Sequence, residues 1–419
     1  MILPKHHLSH TPIAPLILAL FTFALITGCT QQAKVDPAPT VTKTKYDKLL
    51  ERVAADKPLT AEEIIDTLEN NRDPWQAWGE DDFPVYPAEK YLKDWVIVLD
   101  PGHGGDAHKK NWKRGPTGVR EAEINLRVGL ILKTLLEHAG AQVQLTRDDD
   151  SYDMGLAARA EVANTIVRHD GGTGADLFVS LHHNASGPTA NYSTVWFHGP
   201  VKWSEPDLDP AKYVAHRLGA ALRTQVGKTS PLMNDQQMYK DGFGVLKQTT
   251  VPAFLCESTF HTNPDEEQRL RDAEYNLREA YAIYMGLAEY AYGGRPTQSA
   301  PVIKKVGSDF IVTTKLDDGS DKGWWGHDKE RTIASSINLS IDGVNLQTSY
   351  NPETKELVGK ITEAELPLAE KPRELWINHI NMFKHSNYPQ RYNFKQEATT
   401  TDKGAAAKPL PVKRNGLDN

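Results

Sequence analysis

The sequence predicts an α/β protein: a mostly parallel, twisted sheet flanked by helices, followed by a small β-sandwich-like domain. Three observations carry this expectation. Between residues 94 and 293, short apolar runs alternate with stretches whose apolar residues recur at helical spacing. The length of 419 residues leaves room for a second domain beyond that region. After residue 302 the pattern changes to short β-rich runs divided by turn signals.

Residues 1–12 hold Lys5, three histidines and no acid; residues 13–26 are apolar; then come Thr27-Gly28-Cys29. A charged start, a short apolar run and a small residue describe a secretory signal over residues 1–28. The apolar run is shorter than the about 20 residues a membrane span needs. A cysteine directly after that small residue resembles the lipobox of bacterial lipoproteins. The resemblance implies that Cys29 is lipidated, and with Thr30 next it implies the outer membrane of a Gram-negative bacterium, facing the periplasm. Residues 29–41 read as a polar, proline-bearing tether, and residues 42–93 as a helical arm. Tyr46, Leu49, Leu50 and Val53 form one stripe, and Thr60 with Glu63 makes a capping box. Trp75, Trp78, Phe83, Tyr86 and Tyr91 form an aromatic cluster expected to pack the arm onto the main domain.

The main domain spans residues 94–293. Its strand-like runs are Val96–Leu99, Gln142–Thr146, Leu177–Leu181, Thr194–His198 and Ala253–Cys256. Helical patterns fall between them, over Ile124–Leu135, Leu156–Val167 and Tyr213–Val226, and after them over Tyr275–Tyr290. In such sheets chemistry gathers beyond the carboxyl ends of the strands. Gly293-Gly294-Arg295-Pro296 marks a boundary. Residues 302–395 then carry runs at Phe310–Thr314, Ile333–Ile341, Leu346–Tyr350, Leu357–Ile361 and Leu375–Phe383. Residues 396–419 read as a disordered tail.

A formal net charge of -7 argues against a nucleic-acid partner. Two cysteines, Cys29 and Cys256, support no disulfide framework. Cys256 reads as a small buried hydrophobe.

Three stretches concentrate chemistry. The first is Asp100-Pro101-Gly102-His103-Gly104-Gly105, where proline and glycines stop a strand and let backbone pass close to whatever His103 faces. A loop then leads to Glu121 at a helix start. Glu123 competes with Glu121, but at helical geometry the two lie about 200° apart, so both cannot face one metal. Glu121 has the inward spacing to Ile124 and Val128. The second stretch is His182-His183-Asn184 at a strand end. Side chains alternate there, so one histidine points to the site, and periodicity does not choose between them. His183 and Asn184 are candidates for substrate contact. The third is Glu257, a carboxylate ending a buried strand, which needs a partner or a function. Imidazole and carboxylate ligands suit zinc, and a catalytic site keeps about three of them. Beside water activated by the metal, Glu257 would serve as general base. Asn263-Pro264-Asp265-Glu266-Glu267 reads as an N-cap, a proline at N1 and first-turn acids.

At these residues the chain resembles the zinc-dependent N-acetylmuramoyl-L-alanine amidases of the amidase-3 family. The matching pieces are Val96 to Gly105, Arg120 to Leu126, Leu145 to Asp148 with Arg159, Asp176 to His182, Val245-Leu246, and Glu257 to Pro264. They come in the family's order and cover residues 95–292. The resemblance implies a six-stranded α/β domain, one Zn²⁺ on His103, Glu121 and His182, and Glu257 as catalytic carboxylate. It implies peptidoglycan as substrate, cut between N-acetylmuramic acid and L-alanine of the stem peptide. The chain departs from the pattern in a basic loop, Lys109, Lys110, Lys113 and Arg114, and in His183. The segment from Ser186 to Lys240 is too short for the long inhibitory helix of division-site amidases, which argues against activation by the usual septal partners. Two other readings stand beside this one: another zinc peptidase or amidohydrolase of the cell wall, and a non-catalytic peptidoglycan-binding lipoprotein.

Overall fold

The computed structural model describes residues 88–199, 201–224, 231–320, 332–401 and 403–410. The signal segment, Cys29, the tether and nearly all of the arm lie outside the described residues, as do Trp324 and Trp325.

Six strands build the first sheet: β1 (Val96–Pro101), β2 (Gln142–Leu145), β3 (Leu177–Asn184), β4 (Thr194–Phe197), β5 (Leu232–Asn234) and β6 (Ala253–Phe260). Their order is β2-β1-β3-β6-β4-β5. The first four in that order run parallel, and β4 reverses against β6. Every residue of β1 is buried, as a strand covered on both faces requires. The helices are α1 (Ala88–Leu92), α2 (Glu121–His138), α3 (Leu156–Thr165), α4 (Val201–Leu222), α5 (Gly244–Gln248), α6 (Pro264–Arg271) and α7 (Ala273–Gly293). One apolar core joins the sheet to α2, α4 and α7, through Ile124, Val128, Leu218 and Ile283. A second, on the other face, joins Val96, Val98 and Phe178 to Ala163 and Leu246 of α3 and α5. Tyr91 packs edge-on against Tyr292, ring centroids 5.2 Å apart, so the described end of the arm does pack on the domain.

β5 has no counterpart among the expected strands. Its Leu-Met-Asn is three residues long and half-buried, too short to show a period. The N-cap reading holds: Asn263 accepts from the N–H groups of Asp265 and Glu266, with Pro264 at the start of α6.

The second domain is a sandwich of two antiparallel sheets. One orders its strands Val344–Asn345, Asn338–Ile341, Arg373–Asn378, Arg391–Phe394 and Lys408–Pro409, and the other Gln347–Asn351, Glu356–Thr362, Asp309–Asp317, Val302–Val306 and Ala405–Ala406. Ile303, Phe310, Val312 and Leu357 of the second sheet meet Leu339, Ile341, Leu375 and Phe394 of the first in one core. The expected strand over Ile333–Ile341 begins instead as a 3-10 turn, Ala334–Ser336, and is a strand only over Asn338–Ile341. The tail expected over residues 396–419 is corrected as far as residue 410. Ala405-Ala406 pairs with Val302-Ile303, and Lys408-Pro409 pairs with Tyr392-Asn393. Gln396, Thr399, Ala405 and Ala407 are buried. Composition concealed this because the segment buries alanines and backbone rather than large apolar side chains.

The sandwich is bonded to the first domain. Glu205 of α4 accepts from Asn378 Nδ2 at 3.2 Å and Gln390 Nε2 at 3.0 Å. Asp209 accepts from the Ser386 N–H at 2.6 Å, and Asn381 Nδ2 donates to the Gly293 carbonyl at 2.7 Å. His385 Nδ1 donates to the Gly294 carbonyl at 2.7 Å, which leaves Nε2 to accept from the Tyr213 hydroxyl at 2.7 Å.

Candidate metal centre

The carboxyl ends of β1, β3 and β6, three neighbours in the sheet, meet at one end of the first domain. β1 delivers the loop that begins at Gly102. A Cβ on Gly102 would lie 2.1 Å from His182 Cε1, so the absence of a side chain there is what makes room for the histidine. His103 follows at φ 61, a left-handed conformation unfavourable for a residue with a side chain. Two buried arginines hold it so. Arg159 donates to the His103 carbonyl at 2.7 Å and the Pro101 carbonyl at 2.9 Å. Arg147 donates to the carbonyls of Pro101, Gly102 and Ala122, tying the loop to the start of α2.

Glu121 is the first residue of α2 and is 1% exposed. Its Oε1 lies 2.9 Å from His182 Nδ1 and 3.1 Å from His103 Nε2. Its Oε2 and His103 Nε2 are buried without a hydrogen bond. Ligand atoms of His103, Glu121 and His182 all fall within 4.8 Å of one another. Two imidazole nitrogens and a carboxylate, converging with buried lone pairs left over, fit a divalent cation. Burial alone would raise the Glu121 carboxyl pKa, but the rings of His103 and His182 outweigh it and hold the group well below its ordinary range. The carboxylate is therefore in its ligating form.

Glu257 stands on β6 in direct register with His182 on β3. Burial and then the charge of Glu121 push its pKa up to about 8, against the opposing charge of Lys113. Its Oε2 is buried without a hydrogen bond. A bound cation would act in the opposite direction and draw the proton off.

His183 is a correction. It was a candidate for substrate contact, but it is 1% exposed and points to the other face of β3. Its Nδ1 pairs with Asn125 Oδ1 at 2.8 Å and its Nε2 with Glu279 at 3.0 Å, anchoring the strand to α2 and α7. Alternation across the strand is the physical reason: with His182 at the site, its neighbour must turn inward. Asn184 ends β3 half-buried, its Oδ1 accepting from the Ala185 N–H at 2.8 Å. Glu123 lies on the exposed side of α2. Cys29 is outside the described residues.

The profile of the Amidase_3 family, described as N-acetylmuramoyl-L-alanine amidase, matches residues 97–289. This segment is similar to that family over nearly the whole of the first domain. The chain is 32% identical over 213 residues to a probable cell wall amidase LytH of Staphylococcus saprophyticus, covering 49% of this chain and 61% of that protein. It is 26% identical over 310 residues to the N-acetylmuramoyl-L-alanine amidase AmiC of Escherichia coli, covering 66% of this chain and 69% of that one. It thus spans about three fifths of the length of the staphylococcal relatives. Among solved structures, the amidase Ami1 of Mycobacterium smegmatis aligns with a TM-score of 0.41 at 21% identity, over 48% of this chain and 98% of that one.

Several residues of the first domain hold the site although the sequence reading gives them no role. Asp100 accepts from Thr146, Arg159 and Ser180, each at 2.7 Å. Glu267 of α6 accepts from the N–H groups of Thr117 and Val119 and so secures the loop that leads to Glu121. Arg147 and Arg159 belonged to the matched motifs. For Arg159, set between Ala158 and Ala160, an arginine in an apolar neighbourhood is the available signal, since burial of that charge demands a set of acceptors; Arg147, followed by three aspartates, carries no such signal.

Proposed function

We propose that the chain is a zinc-dependent peptidoglycan hydrolase that cleaves the amide between N-acetylmuramic acid and L-alanine of the stem peptide. The observation that carries this reading is the pairing of the His103, Glu121 and His182 cluster with Glu257 one strand away, within a segment that matches the Amidase_3 profile. His103, Glu121 and His182 would hold the ion. Zn²⁺, when bound there, supplies Lewis acidity toward a carbonyl oxygen and toward water. Glu257 accepts a proton from the attacking water and returns it to the leaving amine nitrogen. Its burial serves both halves of that task, because a desolvated carboxylate binds and releases a proton near neutral pH. Arg147 and Arg159 keep His103 in its strained backbone conformation, so the first ligand is fixed before substrate arrives. Asn184, two residues beyond His182 on β3, would offer its amide to substrate.

Lipidation at Cys29 and a periplasmic position at the outer membrane belong to the same proposal, on the strength of the signal pattern in residues 1–29. The test is metal analysis of the full-length chain purified in detergent, paired with digestion of purified sacculi before and after chelation. One zinc per chain, with release of intact stem peptides that chelation stops and zinc restores, is the expected result. Zinc without cleavage would move the reading to a wall-binding protein; cleavage at another bond would move it to a different zinc hydrolase.

A further inference from the structure

The loop between His103 and Glu121 carries a cation into the site. Lys113 Nζ stands 3.6 Å from Glu121 Oε2, an oxygen with no hydrogen bond. The lysine side chain is 35% exposed where the glutamate is 1% exposed, so the ammonium reaches from the rim to the buried carboxylate. Its backbone is fixed. Lys113 sits at φ 48, and its carbonyl accepts from the Glu121 N–H at 2.9 Å. Arg114 beside it donates to the carbonyls of Lys109, Gly118 and Ala107 and holds the loop in shape. A residue with a side chain, kept in a left-handed conformation next to a ligand, marks a place where the fold spends stability on position.

The sign of this loop is also local. The whole chain has a formal net charge of -7, yet His108 to Arg114, HKKNWKR, holds four lysines and arginines and no acid. The nearest acid in the loop, Asp106, is buried and paired with Arg120 at 2.9 Å. Lys109 and Lys110 are exposed, and Lys113 reaches Glu121. An uncharged glycan gives such a row nothing to meet. A peptide with free carboxylates does, and a cation at the rim of a partly desolvated site discriminates strongly between a carboxylate and its amide.

We propose that Lys113 is a specificity-determining residue: it meets a free carboxylate on the peptide side of the substrate, so acidic stem peptides are preferred to amidated ones. This rests on the amidase reading above. The test uses a matched pair of muropeptides, stem carboxylates free in one and amidated in the other, with wild type, Lys113→Met and Lys113→Arg. For K113M, kcat/KM on the free-acid substrate should fall about tenfold or more, mainly through KM, with little change on the amidated one. K113R should recover part of the loss. An equal loss on both substrates, or none, would overturn the proposal. Zinc affinity by chelator competition gives a readout apart from turnover: K113M should bind zinc at least as tightly as wild type, and a fall there together with a lower melting temperature would mean a structural role. Binding of the same pair to zinc-loaded Glu257→Gln, alone and with K113M added, separates the two readings. A preference for the free acid that K113M removes supports Lys113 even where wild type turns over neither substrate; equal binding of both overturns it.

Discussion

His182 and Glu257 occupy opposed positions on two adjacent parallel strands, β3 and β6, and just beyond them the register slips, so that Asn184 pairs with Phe260. Three residues of β6 thus span two of β3. A bulge of this kind re-aims side chains next to a site. Direct register already puts His182 and Glu257 on one face, and the slip comes after them. The relationship predicts separable roles for the two. Replacing Glu257 by Gln should lower turnover by about a hundredfold or more while zinc stays bound. Metal analysis beside a muropeptide assay checks it, and parallel loss of zinc and activity would assign Glu257 to the ligand set instead.

Gly102 makes the opposite prediction. Its substitution by Ala puts a methyl group 2.1 Å from the His182 ring, at a place where the backbone is held by Asn125 and Arg147 and cannot retreat. The ring must move, and with it a ligand. Gly102→Ala should therefore reduce zinc affinity about tenfold or more, with activity falling in step and restored in part by excess zinc. Unchanged zinc affinity would mean that the ring has room to rotate.

What was legible in the sequence follows from what each segment buries. The strands β1, β3 and β6 are apolar enough to read directly, and their ends locate His103, His182 and Glu257. Glu121 is legible from helical spacing to Ile124 and Val128. His183 was not, because residues 177–181 are almost wholly apolar and give no period from which to assign faces. Its partners, Asn125 and Glu279, come from helices distant in sequence. The extension of the sandwich to residue 410 was hidden for a related reason: it is held by strand pairing and small buried side chains. The bonds between the two domains are polar and involve loops, so no hydrophobic pattern announces them.

Asp100 and Arg159 form a buried ion pair, 2.7 Å apart, behind the ligand loop. Removing the arginine leaves an uncompensated charge, so Arg159→Ala should cost about 3–5 kcal/mol of stability. Burial alone would raise the Asp100 pKa, but Arg159, Thr146 and Ser180 outweigh it and lower the pKa below its ordinary value. The sign is then fixed. The unfolded state takes up the proton first as pH falls, so the contribution of Asp100 is complete above about pH 4 and is lost as pH falls through its folded value. Urea unfolding of wild type and Asp100→Asn at pH 7 and near pH 3 should show the difference between them shrinking in acid. A difference independent of pH would mean that Asp100 contributes through shape alone.

His385 gives the sandwich a dependence of its own on pH. Burial lowers its pKa to about 3, only partly offset by the Gly294 carbonyl, while Lys212 acts in the same direction as burial. The ring packs among Tyr213, Tyr290 and Phe383. It must stay neutral, because Nδ1 donates to Gly294 and Nε2 accepts from Tyr213. The unfolded chain takes up a proton near pH 6.5, the folded one not until about pH 3, so stability is complete above the unfolded value and declines as pH falls between the two. The expected slope is about 1.4 kcal/mol per pH unit for this group. His379, lowered to about 4, adds a contribution of the same sign. His385→Gln removes the titration while keeping a polar side chain between the domains. Calorimetric melting of both proteins from pH 7 to pH 5 should show wild type losing stability faster than H385Q. Parallel loss would place the acid sensitivity elsewhere in the chain.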